Sequence, residues 1–189
     1  MGTPVPASSQ KRLLRLVSAR TDMQYASDAF RRFMATRQDE AKYHPFVSMV
    51  LAYCRPFTEN LGIGSLRCEY PSYPDFPDAD MNLRHQRMLD LRNKFLGHSS
   101  LEGTKVWLMA PGAINPATSE VMTEYGHAVA KRHFLDSRYA PWLHEVVDAL
   151  THRLDADVRL VAKEIGSRYL SDGEIRELDT GTRPFEWTK

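Results

Sequence analysis

The apolar pattern of residues 141–172 constrains the fold of this chain most strongly. Leucine, valine and isoleucine recur there at steps of three and four, which places them along one face of an α-helix: Leu143, Val147, Leu150, Leu154, Val158, Val161 and Ile165. The pattern predicts one long helix that starts at Pro141 and is closed by Asp172 and Gly173. Such a helix must bury its stripe, so the rest of the chain has to supply packing partners.

Two earlier segments have the same helical character. A first helix is predicted from an N-cap at Ser8 or Ser9 to about Thr36. A second begins near His44 and Pro45, because proline is favoured at the first helical position. The second helix is apolar on most sides, which is typical of a central, buried element.

A loop and a further helix follow. Residues 61–80 are predicted to be a loop, since glycine, proline and aspartate cluster there. Asp80 or Asn82 then offers an N-cap for a helix from Met81 to Leu96. That helix is amphipathic, so one of its faces should pack against the others.

The part of the chain between this helix and the last one is less regular. Val106–Met109 is the one segment predicted to be a strand, within a short β or extended insertion near 104–115. A shorter helix is predicted from Ser119 to about Ser137. Together these elements predict an all-α fold, an antiparallel bundle of four to five helices.

The length of 189 residues fits one domain. We expect a helical core over about residues 10–172, with flexible ends at 1–8 and 173–189. The 25 lysines and arginines against 24 acidic residues leave a net charge of +1, so the chain has no general nucleic-acid-binding coat. Any contact with RNA must therefore be local.

The two cysteines, Cys54 and Cys68, are too few for a disulfide framework or a zinc site. No apolar stretch approaches the length of a membrane span, and Met1–Gln10 contains prolines where a signal peptide needs an apolar run. We expect a soluble cytoplasmic protein with no membrane partner.

One motif at the end of the third predicted helix combines side chains that are common in active sites. Arg92 and Asn93 are followed by His98, five residues after the asparagine. In a helix, Arg92 would lie in an apolar seam, with Met88 one turn before it and Phe95 one turn after it, and Asn93 is similarly bracketed by apolar residues. A permanent charge in such a place is costly unless something pairs with it.

The segment LDLRNKFLGHSS resembles the Arg-polar-x(3 to 5)-His motif of the HEPN superfamily. That family consists of small helical bundles found in prokaryotic toxin and defence systems and in several RNA-cleaving enzymes. The resemblance is close over the motif and loose over the helical layout, about residues 10 to 172. It implies a metal-independent endoribonuclease, with no cofactor, whose site forms where two such helices meet in a homodimer.

The resemblance also implies a role for each motif residue. His98 would be the general acid or base that acts on the 2′-hydroxyl or the leaving oxygen. Arg92 would hold the scissile phosphate and stabilise its developing charge, and Asn93 would orient the histidine or donate to a phosphate oxygen. The 2′-hydroxyl is the internal nucleophile, so the substrate is RNA and the product a 2′,3′-cyclic phosphate.

Further cations could contact RNA. Lys94 lies inside the motif. The pair Lys131 and Arg132 could add phosphate contacts, although a solvated face is the favoured interpretation for that pair. A cognate antitoxin or regulatory protein would be a further partner of a toxin or anti-phage defence component.

Helix geometry limits how Arg92 and His98 can cooperate. Six residues correspond to about 240° around an ideal α-helix, so an uninterrupted helix would point the two side chains apart. Gly97 can adopt a left-handed C-terminal cap that ends the helix between them. We therefore expect the helix to stop at Gly97 and the chain to turn His98 back towards Arg92.

A structural alternative exists for the same residues. Arg92 could pair with an acidic residue of a neighbouring helix, and His98 could bond the last carbonyls of its own helix. The protein would then be a non-catalytic HEPN-like helical module that binds a partner protein or a nucleotide.

Two other groups of residues contain side chains that can bind metal ions. His144, Asp148 and His152 recur every four residues, but their angle from the apolar stripe favours a solvated polar face. Glu124 and His127 give only one copy of a pattern that a di-iron bundle needs twice. No metal is predicted. The sequence also shows no Ser-His-Asp arrangement, no glycine-rich phosphate-binding loop and no nucleotide-binding fingerprint.

Overall fold

The computed structural model describes residues 4–38, 41–58, 64–96, 106–115, 118–129 and 139–178. This part of the chain is mostly helical and contains one small sheet. The helices are α1 (Ala7–Ala35), α2 (Tyr43–Cys54), α3 (Ala79–Asp90) and α4 (Tyr139–Tyr169), and the strands are β1 (Val106–Met109) and β2 (Gly126–Val129). The predicted all-α class is confirmed at this level.

The long helix at the end of the chain forms as its apolar stripe predicts. The side chains of α4 that point inward are buried, among them Leu143, Val147, Leu150 and Leu154. Gly173 has a φ of +78°, a left-handed conformation that glycine adopts readily, shortly after the helix ends. The predicted closure of α4 at Asp172 and Gly173 therefore agrees with the structure.

Helix α1 lies between α2 and α4 and contacts both. Its first helical residue is Ala7, which precedes both predicted caps. Pro6 occupies the N-cap position without a side-chain hydrogen bond, and Ser8 and Ser9 lie inside the first turn. The prediction of a serine N-cap was thus wrong. Proline precedes a helix without a hydroxyl because its fixed φ suits the approach to the first turn.

Helix α2 is the most apolar helix and is buried on several sides, as predicted. Its buried side chains pack with those of α1 and α4 in one core: Leu16, Met23, Phe33, Phe46, Met49, Val50, Tyr53, Val146, Val147 and Leu150. A short 3₁₀ turn, Arg55–Phe57, follows it and contains Pro56. The core therefore follows α1, against which α2 and α4 both pack.

Helix α3 packs against both α4 and α2. Its N-cap is Asp78, whose carboxylate accepts a hydrogen bond from the Asp80 backbone N–H at 2.9 Å. The predicted caps, Asp80 and Asn82, instead lie within the first turn. Asn82 donates to the Phe76 carbonyl oxygen at 2.7 Å and so fixes the preceding loop.

The segment after α3 contains a β-hairpin where a helix was expected. β1 pairs antiparallel with β2, with Trp107 opposite Ala128, and a bridge between Ile114 and Val121 extends the pairing. The predicted strand at Val106–Met109 is confirmed, whereas the helix predicted over Ser119–Ser137 is wrong for its described part, residues 119–129. Residues 130–137 lie outside the described ranges.

None of the helices in the described ranges combines the length and the apolar character needed to cross a bilayer.

Candidate functional site

The Arg92 motif lies on an unusual turn. The α-helical hydrogen bonding of α3 ends at Asp90, and Leu91–Leu96 continues it as one turn of π-helix. The prediction of a regular α-helix from Met81 to Leu96 was therefore wrong for its last turn. A π turn bonds each residue to the one five positions away, and such turns are frequent at functional sites.

The side chains of Arg92 and Asn93 contact each other. Arg92 Nη1 donates a hydrogen bond to Asn93 Oδ1 at 2.8 Å. Arg92 is half-buried, which agrees in part with its predicted place in an apolar seam, whereas Asn93 is exposed and is not enclosed as predicted. Because a guanidinium carries five N–H donors, most of the donors of Arg92 have no partner among the described residues.

Arg92 forms no ion pair with a carboxylate among the described residues. Asp90, the nearest acidic residue in sequence, accepts a hydrogen bond from Gln86 at 3.0 Å instead. The acidic partner that the structural alternative requires is thus not found in the described part of the chain. A half-buried arginine with this environment is suited to an anionic ligand.

Arg92 also acts on the buried contact between α2 and α3. The Cys54 thiol of α2 donates to the Met88 carbonyl oxygen of α3 at 3.4 Å. Burial raises the pKa of Cys54 to about 12, and the charge of Arg92 opposes this rise. The thiol is therefore protonated at neutral pH and is no nucleophile.

Several predicted site residues belong to segments outside the described ranges. Gly97, His98, Lys131 and Arg132 lie outside the described residues, and of Lys94 the structure describes only its place in the π turn. The structure therefore brings Arg92 and Asn93 together and leaves the approach of His98 a prediction.

A different arginine of α3 is the buried one. Arg84 is 8% exposed and donates to the carboxylates of Asp80 and Glu145 and to the Trp142 carbonyl oxygen, the last at 3.0 Å. Its guanidinium also lies 5.0 Å from the centre of the Trp142 ring. Sequence reasoning missed this residue, although Asp80 and Arg84 are spaced as a helical ion pair.

The next residue, His85, is buried in a polar cluster with Tyr53 and Arg67. Arg67 Nη2 lies 3.2 Å from His85 Nε2, and the Tyr53 hydroxyl lies 2.8 Å from His85 Nδ1. Because arginine can only donate, Nε2 must accept, and Nδ1–H then donates to the tyrosine oxygen. Burial, with the charge of Arg67, lowers the pKa of His85 to about 4.

This histidine is therefore neutral at pH 7, and its partners come from distant positions in the sequence. Tyr53 lies on α2 and Arg67 in the short 3₁₀ turn Leu66–Cys68. The contacts of His85 with Tyr53 and Arg67 span 32 and 18 positions, so no local sequence pattern indicates them.

The side chain of His144 is less exposed than predicted. Its ring stacks on Phe30 of α1 with the ring centres 4.0 Å apart, and its side chain is only 15% exposed. The prediction of a solvated polar face was wrong for this residue, because α1 covers that side of α4. His152 is exposed as predicted. Within the described ranges no three potential metal ligands cluster.

Comparison of the chain with protein-family models, with curated proteins and with solved structures finds no match.

Proposed function

We propose that this protein is a metal-independent endoribonuclease of the HEPN type, with Arg92, Asn93 and His98 in its active site. The observation that carries the proposal is the environment of Arg92. Arg92 is half-buried as a residue, and its guanidinium lies at the surface, where it donates to Asn93 at 2.8 Å and is unpaired with any carboxylate of the described residues. A cation held in this way is suited to a phosphate group.

The proposal includes a finer account of the fold. The helices would form the antiparallel bundle of that family, with the motif at the C-terminal end of α3. The π turn supports the placement of the active site at this end of α3, because it changes the rotation per residue where the motif begins. Arg92 and His98 then need not follow the spacing of a regular α-helix.

In the reaction, the RNA 2′-hydroxyl attacks the adjacent phosphorus atom. His98 takes the proton of the 2′-hydroxyl or protonates the 5′-oxygen that leaves. Arg92 donates to the phosphate oxygens and stabilises the charge that develops on them. The products are a 2′,3′-cyclic phosphate and a 5′-hydroxyl, and no metal is needed.

The proposed assembly is a homodimer in which two copies of the α3 end meet. A single Arg92 provides little positive charge, and pairing two copies across a two-fold axis doubles it. Lys94, Lys131 and Arg132 would extend the contact along the RNA. The physiological setting would be a toxin or defence system with a cognate inhibitor.

Cleavage of single-stranded RNA in EDTA tests the proposal. The wild-type chain should cut the RNA and leave 2′,3′-cyclic phosphate ends, whereas Arg92→Ala and His98→Ala should lose at least about 100-fold in rate. Arg87→Ala is the matched control, since Arg87 is an exposed arginine of α3. His98→Ala should also keep its melting temperature, because a residue beyond a helix end carries little packing.

Two results would contradict the enzyme proposal: no cleavage by the wild type, or equal cleavage by the wild type and both motif variants. RNA binding without cleavage would support the alternative of a non-catalytic HEPN-like module. Arg92→Lys adds a sharper readout, because lysine keeps the charge but lacks the planar pair of donors, and its rate should stay low.

A further inference from the structure

Helix α1 carries a serine whose hydroxyl contacts a histidine of another helix. Ser27 Oγ lies 3.2 Å from His144 Nε2 of α4. A helical hydroxyl ordinarily bonds the carbonyl one turn earlier, as two neighbours do: Thr21 donates to Val17 at 2.9 Å and Thr151 to Val147 at 2.7 Å. Ser27 is thus the hydroxyl of this region that faces an imidazole.

A carboxylate orients that imidazole. His144 Nδ1 lies 3.2 Å from Asp148 Oδ2, one turn further along α4. With Nδ1–H donating to Asp148, Nε2 is left as the acceptor for the Ser27 hydroxyl proton. Phe30, stacked on the ring at 4.0 Å, holds the ring plane. The three side chains therefore have the order of hydroxyl, base and orienting acid.

The serine opens onto a cavity of about 390 Å³. Its lining combines the ring of Tyr25 with smaller or charged polar side chains: Thr21, Gln24, Ser27, Asp28, Arg31 and Thr151. This volume lies in the range of small-molecule sites. Since no aliphatic side chain lines the cavity, a small polar ligand fits it better than a long acyl chain.

The protonation state and the scaffold both suit a base. Burial lowers the pKa of His144, which Asp148 opposes and the charge of Arg31 reinforces, so the ring is neutral at pH 7. The site also stands on two long helices that pack along each other, with the neighbouring Ala26 and Val147 buried. Such elements hold a constellation more rigidly than loops.

We propose that Ser27, His144 and Asp148 form a second active site, at which Ser27 is the nucleophile in the hydrolysis of small polar acyl esters bound in this cavity. None of these residues belongs to the Arg92 motif, so this activity is independent of the RNA cleavage proposed above.

The reaction proceeds in two balanced steps. Ser27 Oγ attacks the ester carbonyl carbon while its proton passes to His144 Nε2, and the carbon–oxygen bond to the alcohol breaks as Nε2 returns the proton to it. Water then attacks the acyl-serine, gives its proton to Nε2 and releases the acid, and Ser27 recovers its proton. Ester and water are the only reactants.

Charge on the carbonyl oxygen would be stabilised by side chains. Backbone N–H groups inside a helix are already bonded, so they cannot serve as an oxyanion hole. Gln24 lies about one helical turn before Ser27 on α1, and Arg31 lies about one turn after it. Both side chains line the same cavity. Arg31 donates to Asp28, which leaves further N–H donors of its guanidinium for an oxyanion.

A fluorophosphonate probe and p-nitrophenyl acetate test this proposal on the full chain. The probe should modify Ser27, as located by peptide mass spectrometry, and ester hydrolysis should fall at least about tenfold in Ser27→Ala. Ser48→Ala is the matched control, an exposed serine of α2 that should leave both readouts unchanged. The labelling experiment uses the wild-type chain, so its result does not depend on whether Ser27→Ala folds, and it tests the nucleophile by itself.

Absence of probe on Ser27, or equal hydrolysis by wild type and Ser27→Ala, would overturn the proposal and leave the contact as a link between α1 and α4. Asp148 is a positioning residue, and its test is the pH profile. Because Asp148 raises the pKa of His144, Asp148→Asn should move the acidic limb of the kcat/KM profile to lower pH. An unchanged profile in Asp148→Asn would also contradict the proposal.

Discussion

At the scale of single residues, His85 makes the stability of the fold depend on pH. Its pKa is about 4 in the folded chain, against an ordinary value near 6.5. Between these values the unfolded chain binds a proton that the folded chain does not bind, so the free energy of unfolding falls as pH falls from about 6.5 to about 4. The expected loss is about 3 kcal/mol.

Urea unfolding between pH 4.5 and pH 7.5 measures this effect. His85→Gln keeps a polar side chain but has no titratable ring, so its unfolding free energy should depend less steeply on pH than that of the wild type. The comparison removes the background of the other groups, including His144. Parallel curves for the two proteins would show that His85 is not the source.

At the scale of elements, Arg84 joins α3 to α4. Its guanidinium is buried, and it contacts Glu145, the Trp142 carbonyl and the Trp142 ring. Arg84→Ala should lower the free energy of unfolding by about 2 kcal/mol, a value below that of a fully buried pair because the carboxylate partners are about half-exposed. Arg87→Ala, on the exposed face of the same helix, should cost less than about 0.5 kcal/mol.

Chemical denaturation of the three proteins in parallel gives these differences. Equal destabilisation by both substitutions would mean that the contacts of Arg84 with α4 contribute little.

Elements with long apolar patterns could be predicted, and those that depend on distant pairing could not. The stripe of α4 and the apolar character of α2 are local signals, and both helices form where the sequence indicates. The hairpin depends on Trp107 meeting Ala128, a contact that leaves no local trace. The sequence predicts a helix for the second part of the hairpin, because the four residues of β2 give too short an alternation to indicate a strand.

The candidate sites differ in the same way between local and distant contacts. Arg92 and Asn93 are adjacent in sequence, so their shared turn could be predicted, although the change to π-helix could not. Ser27 and His144 are separated by 117 positions and meet only because α1 packs on α4. The sequence indicates no Ser-His-Asp arrangement, yet the fold brings Ser27, His144 and Asp148 into contact.

At the scale of the whole molecule, the proposed homodimer makes a prediction of its own. If each RNA site draws residues from both protomers, a mixture of Arg92→Ala and His98→Ala chains forms heterodimers that hold one intact Arg92 and one intact His98. Unfolding and refolding the two inactive variants together should restore a measurable fraction of the cleavage rate. Light scattering checks that the chains are dimeric.

Each variant refolded alone is the control and should stay inactive. No recovery in a mixture that light scattering shows to be dimeric would place Arg92 and His98 of one protomer in one site, and a monomeric wild type would contradict the shared site.

The β-hairpin has a thermodynamic consequence. Among the described elements, β1 and β2 contact mainly each other, and Met109 is buried outside the main core cluster. A two-stranded hairpin has little stability of its own. Its amide protons should therefore exchange with solvent through local opening, far faster than those of α2 and α4, whose exchange requires the whole core to open. Within the described part of the chain we therefore expect the hairpin and the helical core to open as two separate units, so that substitutions in the hairpin alter the stability of one without changing that of the other.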